Sequence, residues 1–385
     1  MPASAATRLL AGGAPRVDAS AVAPEDVVVR ADAAGIRGRG GAGFPLAKKL
    51  SATRSAAALA EEAYVVANAY DADPDSPLSR TLLERNADAV LAGIALAARA
   101  VGASRSYLYL RPDAPAPRVG DGVEVVRGTG GFMGGEESAL LAVLESRRAM
   151  ARQRPPYPAL QGLRLRPTLI ASAESLAWLP YAMDGAKADT KLVSVTGAVR
   201  QPGVYEVALG TTLGDVLAQA GGVIGTLKGI HVGGPTGGIL AAAKASVRLD
   251  FDALKAAGTH MGSAQVRAVA DGVCMVNEAA RLFGYLAQET CGICVPCRVG
   301  TKRVQGIYEG IYSGLGRADD VKWLLDLADH LEKFSLCGFG ITSASIVRTT
   351  LSEFDGDVRA HLGGRCPTGT CSPARARRYE TMVQP

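Results

Sequence analysis

The sequence predicts an α/β protein in several parts: an α/β domain, a compact β-rich module and a C-terminal bundle of helices. Three observations lead there. Strand-like and helix-like segments alternate up to about residue 185. The pattern then changes to two short strands around a Gln201-Pro202-Gly203 turn. Beyond about residue 270 the apolar residues recur with the helical period. A chain of 385 residues is too long for one small core and fits two or three domains.

Residues 1–22, rich in Ala, Gly and Pro, are expected to form a flexible leader ahead of an α/β domain spanning 23–188. There, "APEDVVVRADAAG" has Pro24 at a helix start, acids in the first turn and Gly35 as its stop. A glycine-rich loop follows, then a helix over "PLAKKLSATRSAAALAEEA", a strand over "YVVANA", a helix over 83–103 and a strand over "RSYLYL". "GTGGFMGGEESALLAVLESRRAM" reads as a loop running into a helix. The β-rich module is placed at 189–245, with a Thr-Thr pair leading into a helix that ends at Gly221-Gly222. A helical domain over 246–372 carries the cysteines, and 373–385 is a basic tail.

Composition excludes several classes. The net charge of +5 is mild and no basic stripe interleaves with aromatics, so nucleic acid is not an expected partner. The longest apolar run, Ala89 to Ala98, falls far short of the ~20 residues a bilayer span needs. The first residues lack the continuous apolar core of a secretory signal. Seven cysteines, three of them in one CxxCxxC run, read as metal chemistry in a reducing compartment, and the expected location is the cytoplasm.

That run is "ETCGICVPCRVG", with Cys291, Cys294 and Cys297. A cubane iron–sulfur cluster takes four thiolates, and such a segment supplies three. The fourth comes from elsewhere in the chain, and "SLCGFG" offers Cys337 between residues that allow close backbone approach. Zinc could use the same four, but its sites usually pair two CxxC knuckles. Cys274 alone reads as a small buried hydrophobe. His361, Cys366 and Cys371, however, fall within eleven residues. With Cys274 they would complete the closed shell of three sulfurs and one nitrogen that suits structural zinc.

The loop "GIRGRGGAGFPLAKK" holds Gly38-x-Gly40-x-x-Gly43, formally a dinucleotide fingerprint, but it follows a helix instead of a strand. An ordinary Rossmann reading therefore fails. The alternatives are a flexible turn, or a surface of backbone N–H groups beside Arg39, Lys48 and Lys49 that suits a phosphate or flavin. In "GTGGFMGGEESAL", Glu136, Glu137 and Ser138 read locally as a helix cap. Asp71, Asp73 and Asp75 imitate the start of a calcium loop, but Ser76 and Leu82 stand where Gly and Glu are required.

Taken in order, "GIRGRGGAGFP", "GGEESALL", "RPPYPA", "VTGAVRQPGVYEV", "GGPTGGIL" and "ETCGICVPCRVGT…SLCGFG" make the chain resemble the flavin- and NADH-binding F-type subunit of respiratory complex I. It resembles equally the matching subunits of NAD-linked hydrogenases and formate dehydrogenases. The likeness covers roughly residues 24–371. It implies an FMN-binding α/β domain, a small β-grasp module of SLBB type and a four-helix [4Fe–4S] domain. The ending "HLGGRCPTGTC" and "CMVNEA" look most like the hydrogenase branch, where the matching cysteines and histidine are associated with zinc.

By the same resemblance, Gly38, Arg39, Gly40, Gly41 and Lys49 carry FMN, and Asn68, Gly135, Glu136 and Glu137 match flavin-pocket positions. Glu137 would lie near the nicotinamide as the catalytic residue, with Phe44 and Tyr157 sandwiching the adenine side of NADH. Several positions depart from the family. Tyr70-Asp71 replaces Asp-Glu, Asp73 replaces a Glu that contacts NADH, and Ala171-Ser172 replaces paired asparagines, with Ser175 counted in the same flavin-binding set. Phe132 stands for a Tyr, Arg154 for a Lys and Ala52 for an aromatic.

The implied activity is that of an electron-transfer oxidoreductase subunit. It would take electrons from NADH or NADPH through FMN to a [4Fe–4S] cluster and on to an iron–sulfur subunit or ferredoxin within a hetero-oligomeric complex. The alternative is a non-enzymatic iron–sulfur relay or scaffold subunit that has lost NADH binding, with or without the loss of FMN as well.

Overall fold

The computed structural model describes residues 8–371. The basic tail expected at 373–385 and the first seven residues of the leader lie outside the described residues. The chain divides into two compact units, one running to Val193 and including Val204–Leu209, the other formed by Ser194–Gly203 and the chain from Gly210 onward.

The first unit contains α1 (Pro24–Ala33), α2 (Leu46–Ala57), β1 (Tyr64–Ala69), α3 (Leu78–Val101), β2 (Arg105–Leu110), β3 (Val123–Arg127), α4 (Glu137–Leu144), β4 (Thr168–Ser172) and α5 (Ala173–Met183). Pro24 opens α1 with Glu25 and Asp26 in its first turn. The strands form a sheet in the order β3-β2-β1-β4, with every pairing parallel. Tyr64, Val65, Val66 and Ala67 of β1 are fully buried, the continuous apolar run of a central parallel strand. α3 and α5 pack together, and Ser172 caps α5 by accepting the Ser175 amide.

The described part of the leader, from Arg8 onward, does not behave as its composition suggests. Leu9 is fully buried, its carbonyl accepts from Asn86 Nδ2 at 3.0 Å, and the Arg8 carbonyl accepts from the Tyr181 hydroxyl at 3.0 Å. Asn86 is itself buried and leaves helical geometry inside α3 (φ −153°), so a kink is coupled to this docking. One leucine that fills a core site outweighs a flexible flanking composition.

β5 (Thr190–Gly197) and β6 (Gly203–Ala208) straddle the division between units. The second unit continues with α6 (Leu213–Gln219), β7 (Leu227–Val232), β8 (Ile239–Ala241), α7 (Phe251–Ala256) and β9 (Gln265–Ala270). The sheet runs β6-β5-β9-β7-β8, with β9 parallel to β5 and antiparallel to β7. The boundary expected at 245/246 therefore cuts through this module. β9 pairs in the middle of its sheet, and a strand that returns from a distance leaves no local signal of its destination.

The helices follow: α8 (Met275–Glu289), α9 (Val295–Tyr312), α10 (Asp320–Phe334), α11 (Gly338–Glu353) and the short α12 (Asp355–Leu362). α8 buries Val276, Ala279, Phe283 and Leu286, a stripe at helical spacing, and Phe283 stacks on Tyr308 of α9 with ring centroids 6.4 Å apart.

Candidate functional site

In the first unit, β1 leads to β2 and β3 on one side while β4 lies on the other, so the sheet changes direction between β1 and β4. Ligands of open parallel sheets bind at the carboxyl ends of the strands beside such a switch. Asn68 and Ser172 face each other there in register. The glycine loop covers this end. Its neck is closed by Gly38 N–H donating to the Phe44 carbonyl at 2.7 Å and Gly43 N–H to the Gly38 carbonyl at 3.2 Å. A Cβ placed on Gly40 would lie 3.9 Å from Ser172 Cβ, and the Arg39 N–H donates to Ser175 Oγ at 2.8 Å. With Gly41 at φ 107°, the amides of Gly40, Gly41 and Ala42 are left without hydrogen-bond partners among the described residues. Three free N–H groups in a row fit the phosphate of a flavin nucleotide.

A charged cluster lines the same unit. Lys49 Nζ of α2 lies 3.1 Å from Glu137 Oε2 and donates to the Ile170 carbonyl at 3.2 Å. Arg154 pairs with Glu137 and sits 3.6 Å from Glu136. Glu136 caps α4 by accepting the Ser138 and Ala139 amides, and Asn68 Nδ2 donates to the Gly135 carbonyl at 2.9 Å. Burial alone would raise the Glu137 carboxyl, but Lys49 and Arg154 outweigh it and hold it below the usual range. Phe44 and Tyr157 are exposed aromatics, at 48% and 56%, open to a planar ring.

Other expected ligands turn elsewhere. The Arg39 guanidinium is buried, bonds the Ala188 carbonyl at 2.7 Å, and has Nε and Nη1 without partners among the described residues. Arg39 thus serves the loop through its backbone. The Asp71 carboxylate accepts the amides of Ser79 and Arg80 at 2.8 and 2.9 Å in the first turn of α3, and burial pushes its carboxyl up. Asp73 is buried and accepts the Asp75 amide at 3.0 Å. Tyr70 stacks on Tyr109 at 5.3 Å and donates its hydroxyl to the Gly131 carbonyl at 2.8 Å. Gly134 is required beneath it, because a Cβ there would come within 2.6 Å of the phenol.

The sequence reading missed a buried ion pair under the loop. Lys191 Nζ lies 2.5 Å from Glu174 Oε2, with both side chains out of solvent, and Glu174 also accepts the Leu192 amide. Lys191 sits in an ordinary-looking strand segment, and only its complete burial marks it.

In the second unit, Cys294 is the N-cap of α9, Cys297 lies in its first turn, and Cys337 is the N-cap of α11. A Cβ on Gly340 would stand 3.3 Å from Cys297 Cβ, so the opening turns of the two helices meet. Positive helix ends favour thiolates. Cys297 and Cys337 are buried, whereas Cys291 and Cys294 are half-buried, and none of the four is disulfide-bonded. Burial pushes the Cys297 thiol up to about 11, opposed by the Thr290 hydroxyl and reinforced by Cys294 and Cys291. Four thiols outside any disulfide, three of them at the starts of α9 and α11 and Cys291 just before α9, suit the donor set of a cubane cluster.

Cys274, His361, Cys366 and Cys371 converge separately, with one ligand atom from each lying within 4.8 Å of all the others. His361 Nδ1 is 2.7 Å from the Asp357 carbonyl and Nε2 is 3.4 Å from Cys274 Sγ. A backbone carbonyl that accepts a hydrogen bond from Nδ1–H leaves Nε2 as the ligand, the outer support usual for metal-bound histidines. Burial opposes the charged imidazole, yet Cys274 and the Asp357 carbonyl raise His361 to about 9. Zinc would therefore compete with a proton at this ring. Among the described residues no helix is long and apolar enough to cross a membrane.

Comparison with known proteins agrees with this layout. The Nuo51 FMN-binding domain matches residues 31–180, the SLBB domain 192–240, and the NADH-ubiquinone oxidoreductase-F iron–sulfur binding region 277–361. The second F-type subunit (F 2) of NADH-quinone oxidoreductase in Rhizobium meliloti (strain 1021) is 32% identical, over 89% of this chain and 90% of its own. NADP-reducing hydrogenase subunit HndC of Solidesulfovibrio fructosivorans is 30% identical, over 91% and 79%. The crystal structure of an NAD+-reducing [NiFe]-hydrogenase in the H2-reduced state superposes with a TM-score of 0.79 at 31% identity, covering 94% of this chain and 67% of that one. With its FMN-binding domain, SLBB module and iron–sulfur helices in this order, the chain belongs to the family of F-type subunits of NADH-quinone oxidoreductase and the matching subunits of NAD(P)-linked hydrogenases.

Proposed function

We propose that the protein is the NAD(P)H-oxidising, FMN- and [4Fe–4S]-containing subunit of a larger electron-transfer complex, delivering electrons to an iron–sulfur partner subunit or ferredoxin. The observation that carries this reading is the meeting of the opening turns of α9 and α11, which carry Cys297 and Cys337, in a chain that also presents unpartnered loop amides over a sheet switch point. FMN, when bound, supplies the conversion between a two-electron hydride donor and one-electron carriers.

The chain's own residues would do the rest. Gly40, Gly41 and Ala42 amides would hold the phosphate, with Arg39 fixing the loop by its N–H to Ser175. Asn68, Ser172 and Lys49 would line the flavin's polar edge, with Asn68 Nδ2 tethering the Gly135 carbonyl. Glu137, kept ionised by Lys49 and Arg154, would orient the nicotinamide end. Phe44 and Tyr157 would take the adenine. Cys291, Cys294, Cys297 and Cys337 would hold the cluster, and Cys274, His361, Cys366 and Cys371 a structural zinc. Cysteines that stay out of disulfides need a reducing compartment, which supports a cytoplasmic location.

Anaerobically reconstituted protein should be yellow, bleach with NADH or NADPH, and then show a reduced-cluster signal by electron paramagnetic resonance. A yellow protein that neither nucleotide bleaches would end the dehydrogenase half. The second reading, an iron–sulfur relay without nucleotide chemistry, is favoured by the carboxylates of Asp71 and Asp73 being spent on local amides. No flavin released on denaturation, with iron and sulfide present, would select it.

A further inference from the structure

Thr290 ends α8 and immediately precedes the first cysteine of the CxxCxxC run. Its amide donates to the Leu286 carbonyl at 3.1 Å, which fixes its backbone. Its hydroxyl makes two contacts: Gly292 N–H donates to Thr290 Oγ1 at 3.3 Å, and Oγ1 lies 3.2 Å from Cys297 Sγ. Gly292 reaches back because it adopts φ 79°, the left-handed region open to glycine. Since Oγ1 already accepts from that amide, its own proton is free to point at sulfur. A metal-bound thiolate carries no proton, so the direction is settled by chemistry: the hydroxyl donates and the sulfur accepts.

We propose that Thr290 is a positioning and tuning residue of the cluster site, donating an O–H···S hydrogen bond to Cys297 that raises the reduction potential of the cluster. The inference rests on the assignment of Cys297 as a cluster ligand. A donor to a ligand sulfur draws negative charge away from the iron–sulfur core. It therefore stabilises the reduced state, which carries one electron more, over the oxidised one. Cys297 is buried, so water does not replace the donor when it is removed. A threonine that only capped α8 would leave the potential unchanged on replacement.

The test is an anaerobic redox titration of the reconstituted full chain, following the reduced-cluster signal in wild type, Thr290→Val, Thr290→Ala and Thr290→Ser. Valine keeps the shape and removes the donor, whereas serine keeps the donor. The expected result is a lower midpoint in the Val and Ala variants. A tenfold weaker reduction equilibrium corresponds to about 59 mV for a one-electron couple. The Ser variant should stay at the wild-type value. An unshifted midpoint in Thr290→Val at wild-type iron and sulfide content overturns the proposal. So does loss of the cluster in both Val and Ala variants, since the hydroxyl would then serve assembly. A wild-type protein with no reducible cluster ends the ligand assignment itself, and does so before any variant is made.

Discussion

The nucleotide crevice of the first unit and the thiolate sites of the second are built on opposite logics. The crevice is assembled from backbone amides and shared polar groups: loop N–H groups, Asn68, Lys49 and the Glu137–Arg154 pair. Each such contact is worth about 1 kcal/mol, so individual members can change while the crevice persists. The departures expected at Tyr70 and Ala171 would be instances of that tolerance, and the Asp71 carboxylate accepts the Ser79 and Arg80 amides of α3. The thiolate sites have no such slack. Each donor is one of four: Cys274, Cys366 and Cys371 converge with His361, and the remaining four cysteines lie at or just before the starts of α9 and α11. Weak-contact sites erode gradually, whereas sites of covalent donors survive whole or fail.

The sharpest way to break this contrast is Cys337→Ser, which should lower iron and labile sulfide from a full cluster to near zero. Retained iron at wild-type stoichiometry would mean that thiolate sites are as forgiving as the crevice. Next, Cys366→Ser should lose bound zinc and keep iron, read by metal analysis of the same sample. Loss of both metals would merge the two sites into one. For the scaffold of the crevice, Lys191→Met leaves Glu174 buried and unpaired. It should cost about 3–5 kcal/mol in urea unfolding.

A pH series sharpens the picture in the second unit. Burial opposes ionisation of Glu278, but Arg281 and Arg267 hold its carboxyl at about 2, below its ordinary 4.5. Its contribution, on the order of a few kcal/mol, is therefore present above about pH 4.5 and is lost as pH falls toward 2. Glu278→Gln should flatten the fall in stability across that window, measured by urea unfolding at each pH. The smallest effect is expected in the crevice itself. Tyr157→Ala should raise KM for the nicotinamide nucleotide roughly three- to tenfold and leave cluster content unchanged. A collapse of activity there would show that one aromatic contact dominates.

Much of the fold was legible in the residues. Helices with apolar stripes such as α8 and α10 declare themselves by period, and β1 by a continuous apolar run. The misreadings share one cause, which is distance along the chain. Leu9 looks like part of a loose leader until α3 and α5 supply its pocket. β9 looks like part of the helical domain until its partners β5 and β7 are known. Arg39 beside three glycines invites a side-chain phosphate ligand, yet its guanidinium is buried on the Ala188 carbonyl.

Spacing fixed at a few residues constrains chemistry directly, because a short segment has few conformations. CxxCxxC therefore announced a cluster, and a run of glycines announced exposed amides, before any fold was considered. Residues far apart meet only through packing. Cys274 reaches His361, 87 positions later, because α12 packs against α8. Cys297 meets the start of α11 because Gly340 lets two helix openings touch. Whether an acid such as Asp71 serves a ligand or a nearby helix was likewise decided by which amides the folded chain left within its reach.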